Sequence, residues 1–172
     1  MTRQQFIDML RQEQESLRRF LLGLCGGDAF RADDLAQEAL LKAYISFGKF
    51  EGRAKFSTWL FRIAYNCWTD HMKVWSKYRA CSLEADTSVH REAYGVEDTR
   101  TAADRGYEYQ HLYHAISCLA PHEQVVVLLY YMEEKSIREI SEISGMPSGT
   151  VRSHLSRARR RLKDYLEKHK IR

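Results

Sequence analysis

Apolar residues recur at steps of three and four over most of the 172-residue chain, and this period predicts helices. The first stretch, residues 4–24, carries a row of five large apolar side chains on one face: Phe6, Leu10, Leu17, Leu21 and Leu24. Gly26 and Gly27 should end this helix, because glycine is unfavourable inside a helix, and Asp28 can cap the next one. The pattern therefore predicts a helical hairpin near the start of the chain.

Two more amphipathic segments follow this hairpin turn. Residues 33–47 place small and large apolar side chains on or beside one face: Leu35, Ala39, Leu40, Ala43 and Phe47. Residues 56–78 begin with an expected N-cap at Ser57 and carry a predicted buried stripe: Phe56, Leu60, Ile63 and Cys67. The basic loop between them, GKFEGRAKF at 48–56, has cations and rings that can hold unstacked bases, although such loops more often cover a core edge.

The other side of the third segment combines stacking, hydrogen-bonding and cationic groups at helical spacing. These are Trp59, Arg62, Asn66 and Lys73. The helix also has three tryptophans, which is more than a single packing face readily uses. The stripe fits either a nucleic-acid contact or an ordinary solvated helix surface.

Residues 81–106 lack a sustained hydrophobic period. From Ser82 to Glu108 there are seven Asp and Glu against three Arg, a net charge of −4, with few large aliphatic residues. Such a composition is typical of a linker. We therefore predict two helical domains, residues 1–80 and 107–172, joined by a flexible acidic linker that is disordered in the free protein.

The second domain should be a compact unit of four helices. Its first helix has an apolar face formed by Tyr109, Leu112, Tyr113, Ile116 and Leu119. Pro121 marks the first turn of the next, whose run VVVLLYYM resembles a strand in composition but has helix-compatible flanks and no partner strand. Residues 136–162 then form a helix-turn-helix pattern, in which Gly145 supplies a positive-φ cap and Pro147 suits the first turn of the last helix.

The last helix is predicted to be a DNA-reading helix. Its core positions are Val151, Leu155, Ala158 and Leu162. They leave long cations and small hydroxyls on the outer face: Arg152, Ser153, Ser156, Arg157 and Arg160. Arginine can bind guanine edges or phosphates, and serine allows close approach to a major groove. A solvated basic helix is the alternative, but the preceding turn and helix favour DNA.

Charge and the absence of reactive motifs also indicate a binding protein. The net charge is only +4, yet Arg152 to Arg172 hold nine Lys and Arg against two acidic residues, a net of +7. The four cysteines are scattered and no signal peptide or bilayer-length apolar run is evident, which predicts reduced thiols, a cytoplasmic location and no direct membrane insertion. With no nucleophile and base pair, phosphate-binding glycine loop or metal spacing, we expect neither enzyme activity nor a cofactor.

Two other classes of protein remain open at this point. An operator-binding helix-turn-helix dimer would need a self-complementary apolar patch, and the sequence has no heptad seam. A metal or redox sensor could use His111, His114 and Cys118, which lie on one predicted helical face. The more ordinary interpretation of that face is a core cysteine beside partly exposed histidines.

Three segments resemble the extracytoplasmic-function sigma factors of bacterial RNA polymerase. They are DDLAQEALLKAY, FEGRAKFSTWLFRIAYN and LAPHEQVVVLLYYMEEKSIREISEISGMPSGTVRSHLSRARRRL, in the order and spacing of that family. The resemblance covers nearly the whole chain outside the linker. It implies an all-α protein in which residues 1–80 are similar to sigma region two and residues from about 107 are similar to region four. Ala36 and the pair Ala39 and Leu40 depart from the larger or differently shaped residues expected there.

The resemblance also implies roles for individual residues. Four fall where the family docks on the core polymerase: Asp34, Gln37, Glu38 and Lys42. Six fall where it opens the minus-ten element and holds a flipped base: Lys55, Phe56, Thr58, Trp59, Arg62 and Asn66. Arg152, Ser153, Ser156, Arg157 and Arg160 match the helix that enters the major groove at the minus-thirty-five element.

The expected partners follow from the same resemblance. They are the RNA polymerase core, promoter DNA and an anti-sigma factor that masks these faces until a signal arrives. The linker would thread a polymerase channel in the bound state. The implied function is promoter recognition and melting.

Overall fold

A computed structural model of the chain describes residues 1–82 and 103–169. The regular structure in these ranges is helical throughout, which confirms the all-α prediction. Its α-helices are α1 (Arg3–Leu24), α2 (Ala29–Ile45), α3 (Phe56–Ser82), α4 (Ala103–Ser117), α5 (Pro121–Val127), α6 (Ile137–Ser144) and α7 (Ser148–Lys168).

The predicted amino-terminal hairpin is present, and capping side chains fix its ends. Thr2 and Gln5 exchange hydrogen bonds at the start of α1, since each side chain accepts from the other residue's backbone N–H. Gly26 and Gly27 have positive φ in the turn, and the Asp28 carboxylate accepts from the Arg31 N–H at 3.1 Å. This cap starts α2 four residues earlier than the apolar pattern predicted.

Helix α3 buries a wider face than the predicted stripe. Leu60 and Cys67 are buried as expected, whereas Ile63 is only partly buried. A second row on the same helix is also buried: Phe61, Ala64, Tyr65 and Trp68. The prediction of Ser57 as N-cap is wrong, because the helix already begins at Phe56. The predicted stripe is narrower than the buried face because α3 packs against α1 and α2 and also against α6.

The second half has the predicted helical order, with one local departure. The apolar run after Pro121 is helical, but Leu128–Met132 continues α5 as a π-helical segment. Ser136 and Glu139 form a capping box on α6, and Gly145 ends that helix at φ 74°. Pro147 lies one position before the first turn of α7, at its N-cap.

The two halves share one continuous hydrophobic core. Buried residues of α1 to α3 and of α4 to α7 belong to the same cluster, and the Leu128 side chain lies against Gly23 of α1. Helix α3 extends through Ser82 and α4 begins at Ala103, so regular structure enters both ends of the predicted linker. The rest of that linker, and its expected disorder, lie outside the described residues.

Replacing Gly145 by alanine tests the turn chemistry of the helix-turn-helix. The left-handed backbone at Gly145 disfavours a Cβ atom, so we expect Gly145→Ala to lower the free energy of unfolding by about 1–2 kcal/mol. Gly149 lies in α7 with open space around it, so Gly149→Ala should have no destabilising effect. Urea denaturation followed by circular dichroism measures both. Equal losses for the two variants would contradict the assignment.

Candidate nucleic-acid and protein interfaces

The amino-terminal half of α7 presents the predicted reading surface. Its five predicted contact residues are exposed and form one stripe: Arg152, Ser153, Ser156, Arg157 and Arg160. The opposite face buries Val151, Leu155 and Ala158 in the core with α5 and α6. The helix therefore holds three guanidinium groups and two hydroxyls toward solvent at helical spacing, which suits a major groove.

Two side-chain contacts fix the rotation of α7. The Arg161 Nη1 donates to the buried Glu123 carboxylate at 2.8 Å, and that carboxylate also accepts from the Ala120 N–H. On the other flank, the Arg159 Nε donates to the Tyr131 hydroxyl at 2.5 Å. Sequence analysis missed these anchors, although Glu123 three residues after Ala120 is a capping-box spacing. Arg159 and Arg161 therefore hold the helix in place, whereas Arg152, Arg157 and Arg160 remain available to a partner.

His154 lies at the edge of this surface. Burial, together with the positive charge of Arg157, lowers its pKa. The Arg157 Nη2 donates to the His154 Nδ1 at 3.2 Å, and the His154 ring is 5.6 Å from that of His122. The lowered pKa favours the neutral imidazole, which can accept this hydrogen bond from Arg157.

The start of α3 separates the six predicted minus-ten residues into two groups. Lys55, Arg62 and Asn66 are exposed. Phe56 and Thr58 are only 8% and 3% exposed. The burial of Phe56 confirms its place in the predicted buried stripe, whereas Thr58 does not lie on the exposed face where it was expected. Both face the interior because the first turn of α3 packs on α1, where the Phe6 ring is 5.3 Å from that of Phe56. The Thr58 hydroxyl is buried without a hydrogen-bond partner.

Trp59 lies between the exposed and the buried residues of this set, within a cluster of aromatic rings. It is partly buried, and its ring lies within 6.0 Å of three phenylalanine rings: Phe6, Phe50 and Phe56. Phe50 comes from the basic loop and covers the edge of the core, which is the more ordinary of the two roles considered for it. One side of Trp59 is thus held rigidly while Arg62 and Asn66 remain accessible.

Lys55 is engaged by the second half of the chain. Its Nζ donates to the Glu139 carboxylate of α6 at 2.9 Å. The hydrogen bond from Lys55, followed by one from the Ser136 backbone, lowers the pKa of Glu139 to about 2. A predicted minus-ten residue therefore contacts the first helix of the helix-turn-helix.

Helix α2 presents a surface of mixed character. Asp34 and Gln37 are exposed, and Lys42 donates to Glu38 at 2.7 Å. His71 of α3 also contacts Glu38, and these partners, Lys42 foremost, lower the pKa of that carboxyl.

Exposed apolar side chains lie on the same stripe of α2 and were missed by sequence analysis. They are Phe30, Leu41 and Ile45, with Leu41 and Ile45 59% and 74% exposed. Their spacing from Asp34 and Gln37 was a readable signal, since steps of three and four place all five residues on one side. Apolar residues between polar ones suit a protein surface better than a nucleic acid.

The cysteines and histidines do not form a site in the described part of the chain. Cys118 is exposed, so the interpretation of it as a core cysteine is wrong. Its sulfur is 3.9 Å from the Nδ1 of His114, which bonds to the Tyr165 hydroxyl at 2.7 Å. Burial raises the pKa of Cys25 to about 11. Among residues 1–82 and 103–169, no group of three or more metal-ligand side chains could hold an ion, and no helix could cross a membrane.

The low pKa of Glu139 predicts a pH-dependent stability. Because the folded pKa lies below the usual 4.5, the charged carboxylate stabilises the fold above pH 4.5, and that contribution is lost as the pH falls toward 2. Glu139→Gln should therefore flatten the drop in free energy of unfolding between pH 5 and pH 2.5, as measured by urea denaturation. Glu142→Gln, at an exposed pair with Arg138 on the same helix, should retain the wild-type drop.

Comparison with known proteins finds two sigma-factor regions in the chain. Residues 9–76 match the family model for Sigma-70 region 2, and residues 109–162 match that for Sigma-70 region 4. The RNA polymerase sigma-E factor of Streptomyces antibioticus is 35% identical over 167 residues, covering 95% of this chain and 85% of that protein. The ECF RNA polymerase sigma factor SigW of Bacillus subtilis is 31% identical over 150 residues, covering 81% and 78%.

Solved structures of similar proteins give the same fold. The sigma factor RpoE, solved in complex with the anti-sigma factor NepR from Bartonella quintana, matches with a TM-score of 0.75 and 26% identity, over 95% of this chain and 97% of that one. CnrH, in complex with the cytosolic domain of CnrY, matches with a TM-score of 0.70 at 20% identity, over 96% and 90%. With both sigma regions present in order and relatives above 30% identity along most of their length, the chain belongs to the extracytoplasmic-function (ECF) sigma factors, which direct RNA polymerase to promoters.

Proposed function

We propose that this sigma factor divides promoter recognition among three surfaces. The exposed stripe of α2 docks on the core polymerase, the start of α3 captures the minus-ten element, and the stripe on α7 reads the minus-thirty-five element. The observation that carries the proposal is the exposed arginine and serine face of α7, held in place by the buried Glu123. These cations suit a polyanionic partner such as DNA, because the release of counterions from DNA makes binding to a cationic surface more favourable.

The α2 surface supports docking on a protein. Asp34 and Gln37 offer hydrogen-bonding groups, while the Glu38 and Lys42 pair is already internally matched. Leu41 and Ile45 add apolar area next to them, which is the composition of an interface core with a polar rim. We therefore extend the predicted docking set by these two residues and Phe30.

At the minus-ten element, we assign contact to the exposed residues and support to the buried ones. Arg62 and Asn66 can bond to phosphate or base edges, and Trp59 offers a ring for stacking. Phe56 lies beneath Trp59, with ring centroids 5.7 Å apart, and fixes its position, while Thr58 packs inside the first turn. Melting is then capture of unstacked bases, which needs no covalent chemistry by the sigma factor.

Neither reading surface should be specific alone. Each contacts few base pairs, and one mismatch costs only about 1–3 kcal/mol. The polymerase multiplies the two affinities by holding both surfaces at the spacing of one promoter. Since the polymerase is a required partner in this proposal, the proposed location is the cytoplasm.

An anti-sigma factor is a further proposed partner. The support is the similarity to RpoE, which was solved bound to the anti-sigma factor NepR, over 95% of this chain. The exposed apolar residues of α2 are suited to such a partner as well as to polymerase, since either would cover them.

The first experiment is run-off transcription with purified core polymerase on a pool of genomic promoter fragments. Transcripts from a few discrete start sites that require the protein are expected. Asp34→Ala combined with Gln37→Ala should reduce these transcripts about tenfold or more, because it removes central contacts of the docking surface. Glu13→Ala combined with Gln14→Ala, on α1, is the matched control and should not.

Two results of this experiment would contradict the proposal. DNA binding without polymerase, and no new start sites when polymerase is added, would favour an operator-binding regulator instead. Loss of transcripts in the α1 control as well would contradict the assignment of α2 as the docking surface.

A second test addresses the minus-thirty-five surface. Arg152→Ala should weaken binding to duplex DNA of the identified promoter by about 1–3 kcal/mol and relax base preference at one position. Lys163→Ala removes the same charge from the same helix beyond the stripe and should change affinity little. Fluorescence anisotropy on promoter and single-base variants distinguishes the two. Equal, base-independent losses would indicate that Arg152 binds only phosphate.

A further inference from the structure

We infer that His154 is a positioning residue for the reading surface of α7: its imidazole holds the Arg157 guanidinium in the orientation that reads a base. The inference rests on the proposed minus-thirty-five role of α7. It is carried by the contacts that Arg157 makes within its own helix and by the histidine that faces His154 from α5. An imidazole changes its charge near neutral pH, so the contact can be tested by titration.

Two hydrogen bonds within α7 fix the Arg157 guanidinium. Its Nε donates to the Ser153 carbonyl oxygen at 3.4 Å, and its Nη2 donates to the His154 Nδ1 at 3.2 Å. The side chain therefore lies back over the preceding turn, toward the amino terminus of the helix. An arginine that rotates freely must be ordered when DNA binds, whereas this one is ordered before binding.

The two contacts occupy one edge of the guanidinium and leave another edge free. The Nε–H and one Nη2–H of Arg157 point in the same direction, and both are used within the helix. The other parallel pair of N–H groups lies on the edge formed by Nη1 and Nη2. Such a pair matches the O6 and N7 atoms of a guanine. His154 therefore presents to DNA the edge of Arg157 that can bind a base with two hydrogen bonds.

The charged groups that act on His154 lie on α7 and on α5. Burial, followed by the positive charge of Arg157, lowers the pKa of His154 from its ordinary value of 6.5. On α5, His122 has its ring centre 5.6 Å from that of His154 and lowers this pKa further, while Glu123 opposes the shift. The imidazole is therefore neutral at pH 7 and above. The charged side chains of α6, which also packs on α7, are paired elsewhere: Arg138 with Glu142, and Glu139 with Lys55.

Protonation of His154 breaks the contact that holds Arg157. A guanidinium can only donate hydrogen bonds, so this one exists only while the His154 Nδ1 carries no proton. Once both groups are cations, with nitrogen atoms 3.2 Å apart, they repel each other. The released arginine can then turn to a phosphate, and the imidazolium adds a second charge that binds phosphate. Lower pH should therefore reduce base discrimination and raise the affinity for DNA of any sequence.

Equilibrium competition on the polymerase-bound protein tests this effect of pH. The probes are a duplex promoter identified by run-off transcription and its single-base variants in the minus-thirty-five element. Each ratio of affinities compares two DNAs on the same complex, so effects of pH on the polymerase itself cancel. Arg157→Ala identifies the base that Arg157 reads. At that base, the discrimination by the wild type should fall about three- to tenfold between about pH 8 and about pH 5.5.

Two replacements of His154 separate positioning from packing, because both remove the ring. Asparagine places an amide oxygen near the position of Nδ1 and accepts at every pH, so His154→Asn should keep high discrimination throughout the range. Alanine removes the acceptor, so His154→Ala should discriminate about three- to tenfold less at both ends of the range. Circular dichroism at both pH values checks that each variant is folded.

Two other histidines provide controls for the pH profile. His111 is an exposed residue of α4, and His111→Asn should leave the wild-type profile unchanged. His122→Asn removes one of the charges that lower the pKa of His154, so the fall in discrimination should move to higher pH.

Three results would overturn the inference. They are wild-type discrimination that does not change with pH, equal discrimination in His154→Asn and His154→Ala, and a wild-type pH profile in His154→Asn. Failure of the proposed minus-thirty-five role gives a different result, because the wild type would then prefer no base in that element at any pH.

Discussion

A buried carboxylate can be kept only beside a partner, and Glu133 shows how much of this fold depends on that constraint. The residue lies at the end of the π-helical segment, where its N–H bonds to the Leu128 carbonyl and the next residue, Glu134, has a positive φ. This turn aims the side chain at Arg19 of α1. Because the turn also leads into α6, the Arg19 contact sets where Lys135 and Glu139 meet α3. One charged pair therefore fixes the register of an interface whose area comes from the shared hydrophobic core.

Glu123 is the contrasting case. It is buried to a similar degree, but its partners, Arg161 and the Ala120 N–H, lie within the second half. Glu133 therefore depends on the first half for its partner, and Glu123 does not. Glu123 therefore fixes α7 within the second half, whereas Glu133 joins the second half to α1.

Helix positions were predictable because the signals for them are local. The 3.6-residue period, the glycines at 26, 27 and 145 and the capping residues at 28 and 136 act within a turn or two of the chain. What a helix surface contacts is not local. The expected exposure of Thr58 and the core assignment of Cys118 were wrong, because a helical period gives the direction of each face but not how many neighbouring helices cover it. Helix α3 has three neighbours, so residues on both sides of its predicted stripe are buried.

Gly23 and Gly145 show the difference between a glycine that local sequence explains and one that a distant contact explains. Gly145 has a positive φ, so its sequence context, between an apolar period and a proline, is enough to predict a cap. Gly23 has an ordinary helical backbone, and nothing within α1 explains it. Its explanation is the Leu128 side chain, more than a hundred residues away. A glycine inside an otherwise regular amphipathic helix, with no local conformational need, is therefore a sequence signal for close approach by another part of the structure, and here that part is the other half of the chain.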